Sequence, residues 1–303
     1  MNNKIGIIGF GTVGAVLANI LNRSGVEFGV YDILMEDPAH KEAILVKAKQ
    51  YNAPVINLPS LIQQSAYIIS AVTTQVAETV ASRCLPYLSK NQFFIDCNST
   101  SPGVKINIKK IIESGEADFI EGVILNAVNR DDLTVQMLIG GEKGKEVADF
   151  LQRNNINAKF YSEETGNASM FKMLRSIFSK GVEVLLLEML VAAKKAGIEK
   201  HLWKEITIFM DSKPFEEIGE TWMKSHAVAY ERRFHEMQEV IETMKEVGIS
   251  PILTQATLEY FKQSITLNLR SYFPEAPASA DEVITVIANQ AGTGSTMNYE
   301  SIF

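Results

Sequence analysis

Two hydrophobic rhythms alternate along the first half of the chain, and one of them continues alone through the second. Ile5, Ile7 and Ile8 make a short apolar run, after which Val13, Val16, Leu17 and Leu21 recur at helical spacing. Short apolar segments then return at Val26 to Tyr31, marginally at Pro54 to Leu58, and more strongly at Ala66 to Val72. A helix is predicted from there through about Leu88, then a strand at Gln92 to Ile95 and a helix opening near Pro102. Strands follow near Phe119 to Leu125 and Thr134 to Ile139; Gly140-Gly141 punctuates before another helix, and Ala158 to Tyr161 closes the series. Beyond Gly166 only the helical period persists, led by one long helix from about Asn167 to Ala196 that Gly197 can terminate. Its Val182 to Ala193 stretch is apolar nearly all round, which predicts burial on several sides. Strand and helix alternation of this kind builds an α/β, Rossmann-type doubly wound sheet, here expected over residues 1–163, with an all-helical domain over 164–303. The final segment from Ala291 to Phe303, carrying Gly292, Gly294, Ser295 and Thr296, reads as loosely structured.

The first strand-to-helix turn carries the most specific chemistry. Gly9, Gly11 and Gly14 have G-x-G-x-x-G spacing between the apolar run and the helix. Gly9 permits the tight turn, Gly11 lets backbone approach a pyrophosphate, and Gly14 lets the helix pack near the strand, with phosphate charge facing the helix N-terminus. The second strand ends in Asp32, about twenty residues on, where an acid that binds a ribose is expected. Its carboxylate can accept bonds from both ribose hydroxyls of NAD and would repel the extra phosphate of NADP, and Ile33, Leu34 and Met35 offer no cation to offset that. NAD is therefore preferred over NADP. Ligands in such sheets lie beyond the carboxyl ends of the strands, so Phe10, Thr12, Val13, Val72, Thr73 and Thr74 join the glycines and Asp32 as cofactor contacts.

Composition narrows the classes. With 303 residues, 46% of them apolar, the chain can bury substantial cores, and a net charge of -7 supplies no basic field for nucleic acid. Cys84 and Cys97 are too few for a disulfide framework, which fits a reducing cytoplasm, and His40, His201, His226 and His235 share no metal-ligand spacing. No signal peptide or membrane span is expected, because a glycine turn interrupts the apolar N-terminus and Glu183 and Glu188 interrupt the other apolar run.

Two further segments could carry chemistry. In Asn98 to Pro102, Ser101 can cap a helix and Pro102 can occupy its first turn, which leaves the hydroxyls of Ser99 and Thr100 free to hold a substrate carboxylate. In Gly166 to Lys172 the long helix opens, and Lys172, Arg175, Ser176 and Ser179 fall on one face. A polar stripe of that kind is ordinarily just solvated, but it begins where the two domains meet, a preferred position for ligands.

On these residues the chain, up to about Phe273, resembles the beta-hydroxyacid dehydrogenases, which include 3-hydroxyisobutyrate dehydrogenase and the more distant 6-phosphogluconate dehydrogenase. Asp96 to Pro102 is similar to that family's D-x-S-T-x-x-P substrate loop, with Ser99-Thr100 one residue late, and Gly166 to Lys172 resembles the segment bearing its catalytic lysine. The resemblance implies a hydride transfer between NAD(H) and a small anionic 3-hydroxy acid or its keto or semialdehyde form, Lys172 as general acid and base, and a homodimer. It also implies that Ser99 and Thr100 bind the substrate carboxylate, with Asn126, Arg175, Ser176 and Arg233 as further substrate contacts. Departures point to a divergent subgroup. Arg175 and Ser176 stand where the family has an asparagine, Gly122 to Ala127 replaces its A-P-V-S-G-G loop, and Arg232 to Met237 replaces its later K-D pair, although Arg232 with Glu236 and His235 with Glu239 are also ordinary helical pairs. The alternatives are an NAD-binding sensor or scaffold without catalysis, and an imine reductase or decarboxylating dehydrogenase on the same fold.

Overall fold

The computed structural model describes residues 4–126 and 135–291. Thr134, the expected start of one strand, Ala127 of the altered loop, and residues 292–303 of the tail lie outside the described residues.

Strands β1 (Ile5–Ile8), β2 (Phe28–Tyr31), β3 (Tyr67–Ser70), β4 (Phe93–Asp96), β5 (Asp118–Ile124), β6 (Gln136–Gly140) and β7 (Asn157–Ser162) form one sheet in the order β2-β1-β3-β4-β5-β6-β7. The first five run parallel, β6 is antiparallel to β5, and β7 is parallel to β6. A parallel pairing of β6 with β5 would have needed a crossover connection of a dozen or more residues, and only residues 125–135 separate them. Side chains alternate between faces with a period of two. Ile5, Ile7, Ile69 and Ile95 pack on one face with helices α1 (Thr12–Arg23), α2 (Pro38–Gln50) and α6 (Gly144–Arg153), through Leu17, Ile44 and Leu151 among others. Ile8, Ile68 and Phe94 pack on the other with α3 (Leu58–Gln64), α4 (Ala77–Cys84) and α5 (Pro102–Glu113), through Leu61, Ala81 and Ile108. This is the doubly wound Rossmann-like sheet read from the sequence.

One strand expectation is corrected. Pro54 to Leu58 contributes a single bridge, Val30 to Val55, and Leu58 already opens α3. Asn57 ends the extended segment, because its side chain accepts from the Ser60 N–H at 3.0 Å and Pro59 occupies the first turn.

By compactness the chain divides into Met1–Ile177 and Phe178–Phe303. That line falls inside helix α7 (Asn167–Lys195), whereas the sequence-based line at 163/164 lies ahead of the helix. The second unit contains α8 (Glu199–Asp211), α9 (Phe215–Glu246), α10 (Ile252–Thr266) and α11 (Ala280–Ala291), with Ala227, Tyr230, Leu269, Phe273 and Val283 at its centre. Gly197, at φ +75°, ends α7 as expected. Glu188 of α7 caps the start of α10, accepting from the N–H groups of Leu253 at 2.8 Å and Thr254 at 2.9 Å. The predicted burial of the apolar stretch is corrected: Val184, Leu185, Leu187 and Val191 are 47–59% exposed. Among the described residues, about half of the surface of each of these side chains is left uncovered. Among the described residues no helix is long and apolar enough to cross a membrane.

Candidate functional site

The glycine turn is closed by contacts that only glycine allows. Gly9 has φ +93° and donates its N–H to Tyr31 O at 2.8 Å; a Cβ there would sit 2.4 Å from Ala71 O. A Cβ on Gly14 would lie 2.0 Å from Gly9 O, so the helix could not approach the strand. At Gly11 a Cβ would meet nothing within 4 Å, and no side chain caps the first turn of α1. Open space therefore stands before a set of outward backbone N–H groups, which suits a phosphate.

Two cavities adjoin this turn. One, of about 510 Å³, is lined by Gly9, Gly11, Asp32, Ile33, Leu34, Val76, Val80 and Arg83. The other, of about 490 Å³, is lined by Thr74, Asn98, Ser99, Asn126 and Lys172. Thr12, Val13, Ala71, Val72 and Thr73 line both, so the two form one cleft with the uncapped helix start at its middle. A dinucleotide, two nucleotides joined through a pyrophosphate, fits that plan.

In the first cavity the Asp32 carboxylate accepts from Phe10 N–H at 2.7 Å and Leu34 N–H at 2.9 Å. Phe10, expected as a cofactor contact, lines neither cavity: its ring is in the core, its N–H is taken by Asp32 and its carbonyl by Lys47. Three charged groups here were not legible in sequence. Lys47 donates to the carbonyls of Phe10 and, at 2.9 Å, Gly11, and lies 4.9 Å from the Phe10 ring centre. Arg83 reaches Glu36 at 3.4 Å, and the Tyr31 hydroxyl donates to the same carboxylate. Burial, assisted by Glu36, pushes the Tyr31 hydroxyl up to about 12.

In the second cavity the Lys172 amine donates to Ser99 Oγ. Asn98 prepares this wall: its Oδ1 accepts from Val72 N–H at 2.7 Å, and its amide donates to Asp96 and, at 3.2 Å, to Ser70 Oγ. Asp96 is in turn paired with Lys105 at 2.6 Å, both side chains 0% exposed. Lys105 also donates to Asp96 O at 2.7 Å and Gly122 O at 3.1 Å. Cys97 lines the cavity as an inert thiol, since burial pushes it up to about 12.

The other expected substrate contacts separate. Asn126 lines the second cavity, its Oδ1 accepting from Gln136 N–H at 2.9 Å. Thr100 is only 2% exposed and lines neither cavity, because a tight turn in which its N–H donates to Asn98 O at 2.9 Å carries it inward. Arg175 donates to Leu125 O at 2.6 Å and lines a different cavity with Tyr161 and Phe171. Ser176 bonds back to Lys172 O at 2.9 Å on its own helix. In the second unit Arg233 donates to Ser225 Oγ at 2.7 Å, Arg232 pairs with Glu236, and His235 contacts Gln238 rather than Glu239.

Comparison with known proteins agrees with the motif resemblance. Residues 4–100 match the family described as NADP oxidoreductase, coenzyme F420-dependent, and residues 193–264 match a domain of unknown function, DUF1932. An uncharacterised 28.5 kDa protein of Methanothermus fervidus is 27% identical over 86% of this chain and 98% of its own. A solved protein of unknown function, described as structurally similar to 3-hydroxyacid dehydrogenases, is 28% identical with a TM-score of 0.57, covering 88% of this chain and 98% of its own. A reductive aminase from Aspergillus terreus, solved with NADPH4, cyclohexanone and allyl amine, shares the fold at 13% identity and a TM-score of 0.72, over 96% of this chain and all (100%) of its own. The chain is thus similar to pyridine-nucleotide oxidoreductases of the 3-hydroxyacid dehydrogenase and imine reductase fold.

Proposed function

We propose that the chain transfers hydride between NAD(H) and a small anionic 3-hydroxy acid or its keto or semialdehyde form, with Lys172 moving the proton. The observation that carries this reading is the Lys172 amine bonded to Ser99 at the end of the cleft away from Asp32. A bound nicotinamide would supply or take the hydride. In reduction the Lys172 ammonium donates a proton to the forming alkoxide and stabilises its charge; in oxidation the neutral amine takes that proton. Ser99 holds the amine and offers a hydroxyl to the substrate carboxylate, and Asn126 contributes a polar wall.

Charge favours this over imine chemistry. Among the described residues lining the second cavity Lys172 is the one that carries a formal charge, and it is positive. A carboxylate substrate is drawn to it, and a cationic iminium is repelled. NAD is favoured over NADP because Asp32 lines the first cavity and Glu36 holds the nearby Arg83. A homodimer would cover the exposed apolar side chains of α7. Sedimentation across a concentration series tests the dimer, and a monomer at every concentration refutes it.

The test of the chemistry is a Lys172→Ala variant assayed with a panel of 3-hydroxy acids and NAD, alongside ketone and amine pairs with NADH. The expected result is turnover of a hydroxy acid by the parent and a loss of at least about a hundredfold in kcat, with NADH binding retained. Undiminished turnover in the variant, or activity confined to the amine pairs, overturns the reading.

A further inference from the structure

After Asp118 at its start, strand β5 reads Phe-Ile-Glu-Gly-Val-Ile, apolar apart from Glu121, which is fully buried at 0% exposure. Among the described residues no cation pairs with Glu121. Among the described residues its hydrogen-bond donors come from the start of α7: Oε2 accepts from Gly166 N–H at 2.8 Å, and Oε1 accepts from Ser169 N–H at 2.8 Å and from Ser169 Oγ. The neighbouring strand makes room, because a Cβ on Gly140 would lie 2.8 Å from Glu121 Oε2. A buried carboxylate is tolerated only where such donors replace water, and the N-terminal end of a 29-residue helix adds its own positive field.

The arrangement reaches the cleft. Lys172 follows Ser169 by one helical turn, on the same side of α7, so the bonds that fix the rotation and height of that first turn also fix where the amine stands. The opposite partner is held in a matching way. Asp96 is the register neighbour of Glu121 on β4, and through Asn98 it holds the wall that carries Ser99. Two buried acids, side by side on adjacent strands, therefore govern the two halves of the Lys172 to Ser99 contact.

We propose that Glu121 is the positioning residue for Lys172, setting its amine against Ser99; the catalytic part of this proposal rests on the reading of Lys172 as the proton carrier. Glu121→Gln preserves shape but turns an NH2 group toward a backbone N–H. The primary readout needs no substrate: trace labelling of lysines with acetic anhydride at pH 8 on the full chain, quantified by mass spectrometry. Lys172, released from Ser99, is expected to label at least threefold faster in E121Q, while lysines of the second unit are unchanged. NADH binding by fluorescence is expected to stay within twofold. On any hydroxy acid that the parent turns over, kcat is expected to fall at least tenfold, with the KM for NADH within twofold. A variant matched for loss of Tm but remote from α7, such as Ile112→Val, is expected to alter neither Lys172 labelling nor kcat, which separates positioning from general destabilisation. Should E121Q not fold, Ser169→Ala removes only the hydroxyl donor and is expected to move Lys172 labelling in the same direction. Unchanged Lys172 labelling in the folded variant overturns the proposal and leaves Glu121 as a helix cap. If labelling shifts while Lys172→Ala retains turnover, the positioning role stands and the proton role of Lys172 falls.

Discussion

The three glycines of the turn make different demands, and single alanine substitutions separate them. Gly11→Ala adds a methyl group where nothing lies within 4 Å, at a φ of -69° that alanine adopts freely. Its effect on folding is limited to replacing glycine at a helix cap, about 1 kcal/mol or less. Gly9→Ala differs on both counts. Its Cβ would stand 2.4 Å from Ala71 O, and φ +93° is strained for any L side chain, so overpacking and backbone strain together come to about 2–6 kcal/mol. Gly14→Ala forces α1 off Gly9 O, at 2.0 Å, with a loss of similar size from overpacking. Ligand binding reverses the order of effects among folded variants. The Gly11 methyl occupies the approach to the uncapped N–H groups, and losing one or two charge-assisted hydrogen bonds, at about 1.5–3 kcal/mol each, weakens NADH binding by about tenfold to more than a hundredfold. Thermal unfolding and NADH fluorescence titration on the same samples make the comparison. A Gly11→Ala variant with parental Tm and parental NADH affinity would refute the idea that this turn receives a pyrophosphate.

Lys105→Met leaves Asp96 buried without its cation, and a loss of about 3–5 kcal/mol is expected in urea unfolding. Far-UV circular dichroism should follow it, since Trp203 and Trp222 both belong to the second unit; a loss under about 1 kcal/mol would argue against the pairing. Glu36→Gln frees Arg83 at the first cavity and is expected to raise NADPH affinity relative to NADH about fivefold, as paired titrations would reveal; an unchanged ratio removes Arg83 from cofactor choice. His226 is held below the ordinary imidazole pKa by burial and then by Arg233, with its ring bonded to Ser264 at 2.9 Å. Because its folded pKa lies below the unfolded value of about 6.5, its contribution is fully present above that unfolded value and is lost as pH falls from there through the lower folded one. Tryptophan-monitored urea midpoints should decline below pH 6.5 and decline less in His226→Gln; parallel profiles would contradict this.

Much of the nucleotide half was legible because its signals are local. The glycine spacing, Asp32 at a strand end and Ser101-Pro102 at a helix start each follow from the geometry of neighbouring residues. Long-range partners were not. Lys47 reaches the turn from helix α2 and Arg83 reaches Glu36 from helix α4, and nothing in their own neighbourhoods distinguishes them from solvated cations. Glu121 did leave a trace, an acid in the apolar middle of a strand, but its partners lie 45 and 48 positions away. Thr100 shows the opposite error, since a hydroxyl that sequence leaves free is taken inward by the backbone turn that precedes it. Apolar periodicity identified α7 as a helix, but it could not tell whether the covering surface comes from the same chain.

The Asp32 carboxylate latches the loop on both sides, gripping the amide of Phe10 before the helix and that of Leu34 after the strand. Attempts to retune coenzyme selectivity by replacing this residue would therefore loosen the dock itself, confusing altered preference with a sagging entrance. Redesign has a cleaner handle in the peripheral Glu36 and Arg83 couple, where charge can be edited while the latch stays shut.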